Sequence, residues 1–229
     1  MKQTQNEQPP RFCFISDTHG HHSFVHIPPC DYLIHCGDFT SRSSVKDLIS
    51  FSKWLHSLDA KHKIIVFGNN EIEFLNHIDE TVQRIKNECP ECVVLIDQSV
   101  TIDNFIFYGA KYPFMYDDSL QFDQDKQLIL ISHEPPFNIM DNMVMTKKTL
   151  HWRIYHGGRK GIIKFVDQYH PTLACFGHCH NDYGVEVIDG TTYINCSYLS
   201  ETTIPVKLPI FMAFQNGCFI QTNRKFIPK

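Results

Sequence analysis

A chain of 229 residues with 42% hydrophobic content can bury a sizeable core within one α/β domain. Its 21 Lys and Arg against 25 Asp and Glu give a formal charge of -4, which argues against a nonspecific binder of long nucleic acid or anionic membrane. No run approaches the ~20 apolar residues that span a bilayer, and nine cysteines, set mostly inside apolar runs, read as reduced thiols of a cytoplasmic protein.

The polar, proline-ended segment 1–10 reads as a disordered lead-in, followed by a single domain over 11–229. Strands are expected at 11–16, 31–36 and 63–67, where continuous apolar runs suit burial on both faces. Between the last two, Val45, Leu48, Ile49, Leu55 and Leu58 recur at helical spacing behind Ser43 or Ser44, predicting a capped helix over 43–58. Short strands follow at 92–96, 99–103, 105–108 and 127–132. Cys89 and Cys92 of CPEC read as two thiols beside a turn, because a structural zinc site calls for a second pair or for histidines at matching spacing. Segments 110–126 and 135–157 lack regular pattern and are rich in aromatics and methionine, which makes them the expected substrate-facing loops. Ile162, Ile163, Phe165 and Val166 predict a helix over 158–169, and strands at 173–177, 184–188, 191–195 and 210–215 complete the chain. Asn195-Cys196-Ser197 fits a glycosylation acceptor but is discounted at a strand end with no export signal. Strands alternate with helices early and crowd together at 92–108 and 184–215, so two sheets with mixed pairing are expected.

Chemistry-bearing residues sit just past five of these strands. They are Asp17 and His19, Asp38, Asn69, His133, and the pair His178 and His180. Carboxyl ends of strands are where open α/β sheets place ligand sites. Seven donors exceed the four that one tetrahedral zinc takes, and their mixed oxygen and imidazole character suits two divalent ions such as Mn, Fe or Zn. Asp38 is the natural bridge, since a carboxylate offers one oxygen to each ion. Two ions about 3.5–4 Å apart activate a bridging water and screen both oxygens of an in-line phosphoryl displacement, so no protein nucleophile is required. The absence of a GxSxG elbow or of Walker spacing agrees with that.

In chain order, SDTHG, GDF, GNNE, SHEPP and GHCH resemble the motifs of the calcineurin-like metallophosphoesterase superfamily, most closely its small brain-expressed members. The resemblance implies a four-layer α/β/β/α sandwich with two mixed sheets. It puts one metal on Asp17, His19, Asp38 and His180, and a second on Asp38, Asn69, His133 and His178. It also implies hydrolysis of phosphomonoesters or phosphodiesters, with weak cyclic-nucleotide phosphodiesterase activity in the nearest subfamily.

One position departs from the family pattern: Asn70 stands where a histidine usually protonates the leaving oxygen or steadies the phosphoryl group. An amide donates a hydrogen bond but supplies no proton near neutral pH, which removes chemistry typically worth about 10²- to 10⁴-fold. The expectation is a slow, metal-dependent phosphodiesterase acting on a small phosphate ester, with Asp38, Asn69 and Asn70 as catalytic residues. His22, Tyr112, Phe137 and Trp152 are the expected substrate contacts. The alternatives are a phosphomonoesterase or protein phosphatase, and a catalytically weak metal-binding scaffold. The oligomeric state stays open.

Overall fold

The computed structural model of the chain describes residues 8–146, 152–200, 202 and 204–222. The apolar strands form because each has two faces to fill. In β1 (Arg11–Ile15), Phe12 and Phe14 join one core while Cys13 and Ile15 join another, and all four are fully buried. The alternation continues in β2 (Cys30–His35) and β3 (Ala60–Ile65), where Tyr32, Ile34 and Ile64 face the first core and Leu33 and Ile65 the second.

These strands belong to a six-stranded sheet ordered β14-β13-β1-β2-β3-β4, with β4 at Cys92–Val94, β13 at Ile210–Gln215 and β14 at Cys218–Gln221. β1 to β4 run parallel, and β13 and β14 are antiparallel. A second six-stranded sheet runs β11-β12-β10-β7-β6-β5. Its strands are β5 (Gln98–Ile102), β6 (Phe105–Gly109), β7 (Gln127–Ile131), β10 (Leu173–Phe176), β11 (Gly184–Ile188) and β12 (Thr191–Asn195). The inner four are parallel, and β5 and β11 are antiparallel edges.

Phe12, Phe14 and Ile64 of the first sheet pack against Phe107, Ile129, Leu173 and Ile194 of the second. Helices α1 (Val45–Ser57) and α2 (Ile78–Glu88) cover the outer face of the first sheet through Leu48, Phe51, Leu55 and Ile85. Helix α3 (Lys160–Tyr169) covers the second through Ile162 and Phe165. The architecture is the expected four-layer sandwich of two mixed sheets. Helix α1 starts where its sequence predicts, with the Ser44 hydroxyl accepting from Asp47 N at 3.2 Å.

Three elements go beyond the sequence reading. Helix α2 follows a 3₁₀ stretch, Asn69–His77, and presents only Thr81 and Ile85 as buried residues, a stripe too thin to read in IDETVQRIKNE. β14 was not expected. Part of the expected loop 135–157 is instead an antiparallel hairpin of β8 (Asn142–Thr146) and β9 (Trp152–His156). Ile154 and Tyr155 of the hairpin are exposed, so no alternation of apolar and polar residues marks it. Residues 1–7 of the lead-in and the basic pair Lys147-Lys148 lie outside the described residues. Among the described residues, no helix is long and apolar enough to cross a membrane.

Candidate metal centre

The carboxyl ends of β1, β2, β3, β7 and β10 open on one rim. Backbone bonds stitch the two sheets there: Ser16 N donates to Cys196 O at 3.0 Å, and Tyr198 N donates to Ser16 O at 2.8 Å. Directly past the strands the chain turns sharply. Asp17, His19, Asp38 and His178 all adopt positive φ, at 55°, 41°, 54° and 66°, a backbone that non-glycine residues keep only where their surroundings impose it. Gly68 leaves the room this needs. A Cβ there would lie 2.2 Å from Asp38 Oδ1.

The turns bring the expected donors together. Ligand atoms of Asp17, His19 and His180 lie within 4.8 Å of one another, and so do those of Asp17, Asp38 and His133. His180 Nε2 is 3.3 Å from Asp17 Oδ1, and His19 Nε2 is 3.9 Å from Asp38 Oδ2. His178 stacks edge-on against His133, with ring centroids 5.0 Å apart, and its backbone N–H donates to Asp17 Oδ2 at 3.0 Å. Asn69 Oδ1 is 2.9 Å from His133 Nε2. Of the seven residues expected from the sequence, five bring ligand atoms into these clusters and Asn69 joins them through His133, while His178 lies alongside with its ring on His133; Asp17 is the residue the two clusters share.

The electrostatics of the centre favour a cation. Asp17 and Asp38 are 0% and 2% exposed, yet among the described residues no Lys or Arg nitrogen lies within ion-pair distance of either. Burying unpaired carboxylates is costly, so the imidazoles and a bound cation are what remain to balance them. Burial opposes ionisation of Asp17, but His180, His133 and His19 outweigh it and hold its carboxyl well below the usual range. Burial likewise pushes His178 down to about 4, helped by its neighbour His133. Burial would lower His133 too, but Asp38 and Asp17 carry it above the ordinary imidazole value.

Second-layer contacts fix the ring orientations. His133 Nδ1 donates to Cys36 O at 2.9 Å and His180 Nδ1 donates to Ser200 O at 3.1 Å, which leaves each Nε2 as the inward atom. For His133, that inward lone pair meets Asn69 Oδ1 and, at 3.4 Å, Asp38 Oδ1. Three acceptors converging this way suit a proton or a metal, and the donor chemistry fits a divalent ion of the Mn, Fe or Zn type.

Asn70 sits at the rim with its amide already engaged. Its backbone N–H donates to Asp38 Oδ1 at 2.8 Å, its amide N–H donates to Asp38 Oδ2 at 2.5 Å, and its amide oxygen accepts from Arg42 N at 3.3 Å. Both ends of the amide are engaged, so Asn70 clamps the central carboxylate and is not a donor held free for a phosphate.

The substrate contacts expected from sequence divide. His22 is corrected. The residue is 3% exposed, its ring bonded through Nε2 to Ser50 Oγ at 2.9 Å and packed on Phe51 and Trp54, because the turn after DTHG folds it against α1. Tyr112 lies at the centre's edge, 5.8 Å from the His133 ring, and Phe137 lies 5.3 Å from the His156 ring. Trp152 opens β9 with its backbone paired to Thr146, and the expectation for its side chain lies outside the described residues. Phe114, on the same loop as Tyr112, is buried against Phe165.

Three further features escaped the sequence reading. Glu71 is fully buried and accepts from Asp38 N, Gly68 N, Thr40 N and the Thr40 hydroxyl at 2.7–2.9 Å, with burial and then Asp38 pushing its carboxyl up to about 7. The sequence signal was the last letter of GNNE. Arg159 pairs with buried Glu134, the residue after His133, at 2.5 Å. His156 Nδ1 bonds the buried Asp141 at 2.7 Å on the hairpin, whose strand β8 packs against the turn His180–Asp182. Distance along the chain hides both pairs.

Residues 10–182 match the model of the calcineurin-like phosphoesterase family. The chain is 28% identical to metallophosphoesterase domain-containing protein 1 of Homo sapiens, over 87% of this chain and 69% of that protein. It is 30% identical to UPF0046 protein K07C11.7 of Caenorhabditis elegans, over 80% of this chain and 68% of that protein. The phosphopantetheinyl hydrolase of Mycobacterium tuberculosis shares the fold at a TM-score of 0.61 and 13% identity, covering 97% of this chain and 99% of that one. With its ordered motifs, its two-sheet sandwich and its rim of carboxylates and imidazoles, the chain belongs to the calcineurin-like phosphoesterase family of metal-dependent phosphoric ester hydrolases.

Proposed function

We propose that the protein is a phosphodiesterase for small or cyclic-nucleotide-like diesters, using two divalent ions, and that 11–229 acts as one unit. The observation that carries this reading is the pair of donor clusters sharing Asp17, with buried carboxylates that no Lys or Arg neutralises among the described residues. Bound there, the ions supply a nucleophile generated from water and a positive field for the phosphoryl oxygens. Asp17, His19, Asp38 and His180 would hold one ion and Asp38, Asn69, His133 and His178 the other, with Asp17, common to both observed clusters, lying between the two sets.

The chain's own residues do the rest. Asn70 holds Asp38 in orientation, and Glu71 holds the backbone on which Asp38 and Gly68 sit. Tyr112 offers an aromatic face beside His133, and Phe137 offers another beside Lys160, whose ammonium lies 5.3 Å from its ring. An aromatic face of this kind stacks on a flat base, and a nearby ammonium suits a phosphate. Nine free thiols support a reducing, cytoplasmic setting.

A metal-binding scaffold of weak activity is the second reading, favoured by the engagement of both ends of the Asn70 amide. The deciding experiment loads metal-stripped protein with Mn, Fe, Co, Ni, Mg or Zn and assays mono- and diesters. The expected result is turnover of bis-nitrophenyl phosphate that requires metal and is lost in Asp38→Asn. Faster monoester turnover would make it a phosphomonoesterase, and metal binding without turnover on any ester would make it a scaffold.

A further inference from the structure

On the opposite side of the first sheet from its partner sheet, the fold assembles a second set of metal-binding side chains. His56 lies in the last turn of α1, Cys89 caps α2, Glu91 sits in the following turn, and Cys92 opens the edge strand β4. Ligand atoms of His56, Cys89 and Glu91 fall within 4.8 Å of one another. The fourth group, the buried Cys92, lies beside them, its backbone N–H donating to Cys89 O at 3.1 Å. His56 Nδ1 is 3.0 Å and 3.1 Å from the two Glu91 oxygens. CPEC alone lacks partner ligands, and the packing of α1 on α2 supplies a histidine from 33 residues upstream.

We propose that Cys89, Cys92, His56 and Glu91 form a structural zinc site, separate from the metal centre at the rim. Two sulfurs, one imidazole and one carboxylate make a four-coordinate set, and thiolates select zinc over the harder Mn or Mg ions. The charges close as well. Lys63, with its side chain 4% exposed, holds its ammonium 2.6 Å from Glu91 Oε1 and 3.0 Å from His56 O. Zinc entry breaks two S–H bonds, releases two protons to water and forms two Zn–S bonds. Two thiolates and the Glu91 carboxylate then balance the dication and the Lys63 ammonium, so the filled site is neutral overall. His56 presents its Nδ1 lone pair by carrying its proton on Nε2, which its 59% exposed side chain allows.

Its structural effect is to clip the ends of α1 and α2 to β4, the edge of the first sheet, where only three residues hold the strand. The test uses the full-length, reduced, metal-stripped chain titrated with Co²⁺ and then Zn²⁺. One equivalent of Co²⁺ is expected to give a thiolate-to-cobalt charge-transfer band that Zn²⁺ displaces. The band should persist in Asp38→Asn, disappear in Cys89→Ser/Cys92→Ser, and require at least about tenfold more cobalt in His56→Ala. Zinc should also raise the unfolding temperature of Asp38→Asn. If the double serine variant fails to fold, His56→Ala and Glu91→Gln carry the same comparison. Absence of a thiolate band in the reduced wild-type chain overturns the proposal. Formation of a Cys89–Cys92 disulfide with no zinc affinity in the reduced form also overturns it, and would assign the pair to redox chemistry.

Discussion

Asn70 is the residue on which the proposed slow turnover rests. As a clamp on Asp38 it preserves the geometry of the centre, yet its amide has no proton to give at neutral pH. Asn70→His is therefore expected to raise kcat on alkyl diesters by about tenfold or more while changing nitrophenyl diesters little, since acidic leaving groups need little protonation. Equal gains on both would show that leaving-group protonation does not limit the enzyme. His35 gives a second residue-scale prediction. It is fully buried, which pushes it down to about 3, and its Nε2 meets the Thr18 hydroxyl at 3.2 Å. The unfolded chain takes up a proton near pH 6.5 and the folded one does not until about 3, so this stabilisation is complete above 6.5 and is lost as pH falls through that window. In metal-free protein, the wild type should lose up to about 1.4 kcal/mol per pH unit more than His35→Gln between pH 6 and 4.5 in denaturant titrations. Parallel slopes would contradict it.

At the scale of elements, Glu71 ties the turn after β2 to the turn after β3. Every atom it meets is a donor, so Glu71→Gln turns an amide N–H₂ toward backbone N–H groups or the Thr40 hydroxyl. The expected outcome is metal affinity lowered about 10- to 100-fold by calorimetry, with the circular dichroism of the fold retained. Wild-type affinity in this variant would mean the two turns hold their shape without it. The elements also show what the sequence could reveal. Strands such as Gln127–Ile131 were legible because both faces are buried and no polar residue interrupts the run. Asp17, His19, Asp38, His133 and His180, whose ligand atoms cluster at the rim, were legible because they closely follow such strands. Helix α2 and the hairpin β8–β9 were not, because the buried face of α2 is narrow and Ile154 and Tyr155 of the hairpin stand in solvent. His22 misled for a related reason: adjacency to DTHG in sequence says nothing about which side of the turn a ring takes.

For the whole molecule, stability rests on the layer between the sheets. Phe12 is fully buried there, stacked on Tyr32 with centroids 4.5 Å apart and edge-on to Phe105 and Phe219 at 5.1 and 5.0 Å. Phe12→Ala leaves a cavity touching both sheets and should cost about 3–5 kcal/mol, or about 6–20 °C in Tm for a chain of this size. A drop of only a degree or two by calorimetry would mean the layers repack freely. The rim stitch through Ser16 has a further consequence. Asp17, His19, Asp38 and Asn69 ride on one sheet, whereas His133, His178 and His180 ride on the other, joined there by Ser16 N to Cys196 O and Tyr198 N to Ser16 O. The centre is thus a rivet through a lap joint. A shear of one sheet over the other by a single ångström would change the spacing of the donor pairs that cross it, so the resistance of the joint to sliding sets how well the donors keep a metal-binding geometry.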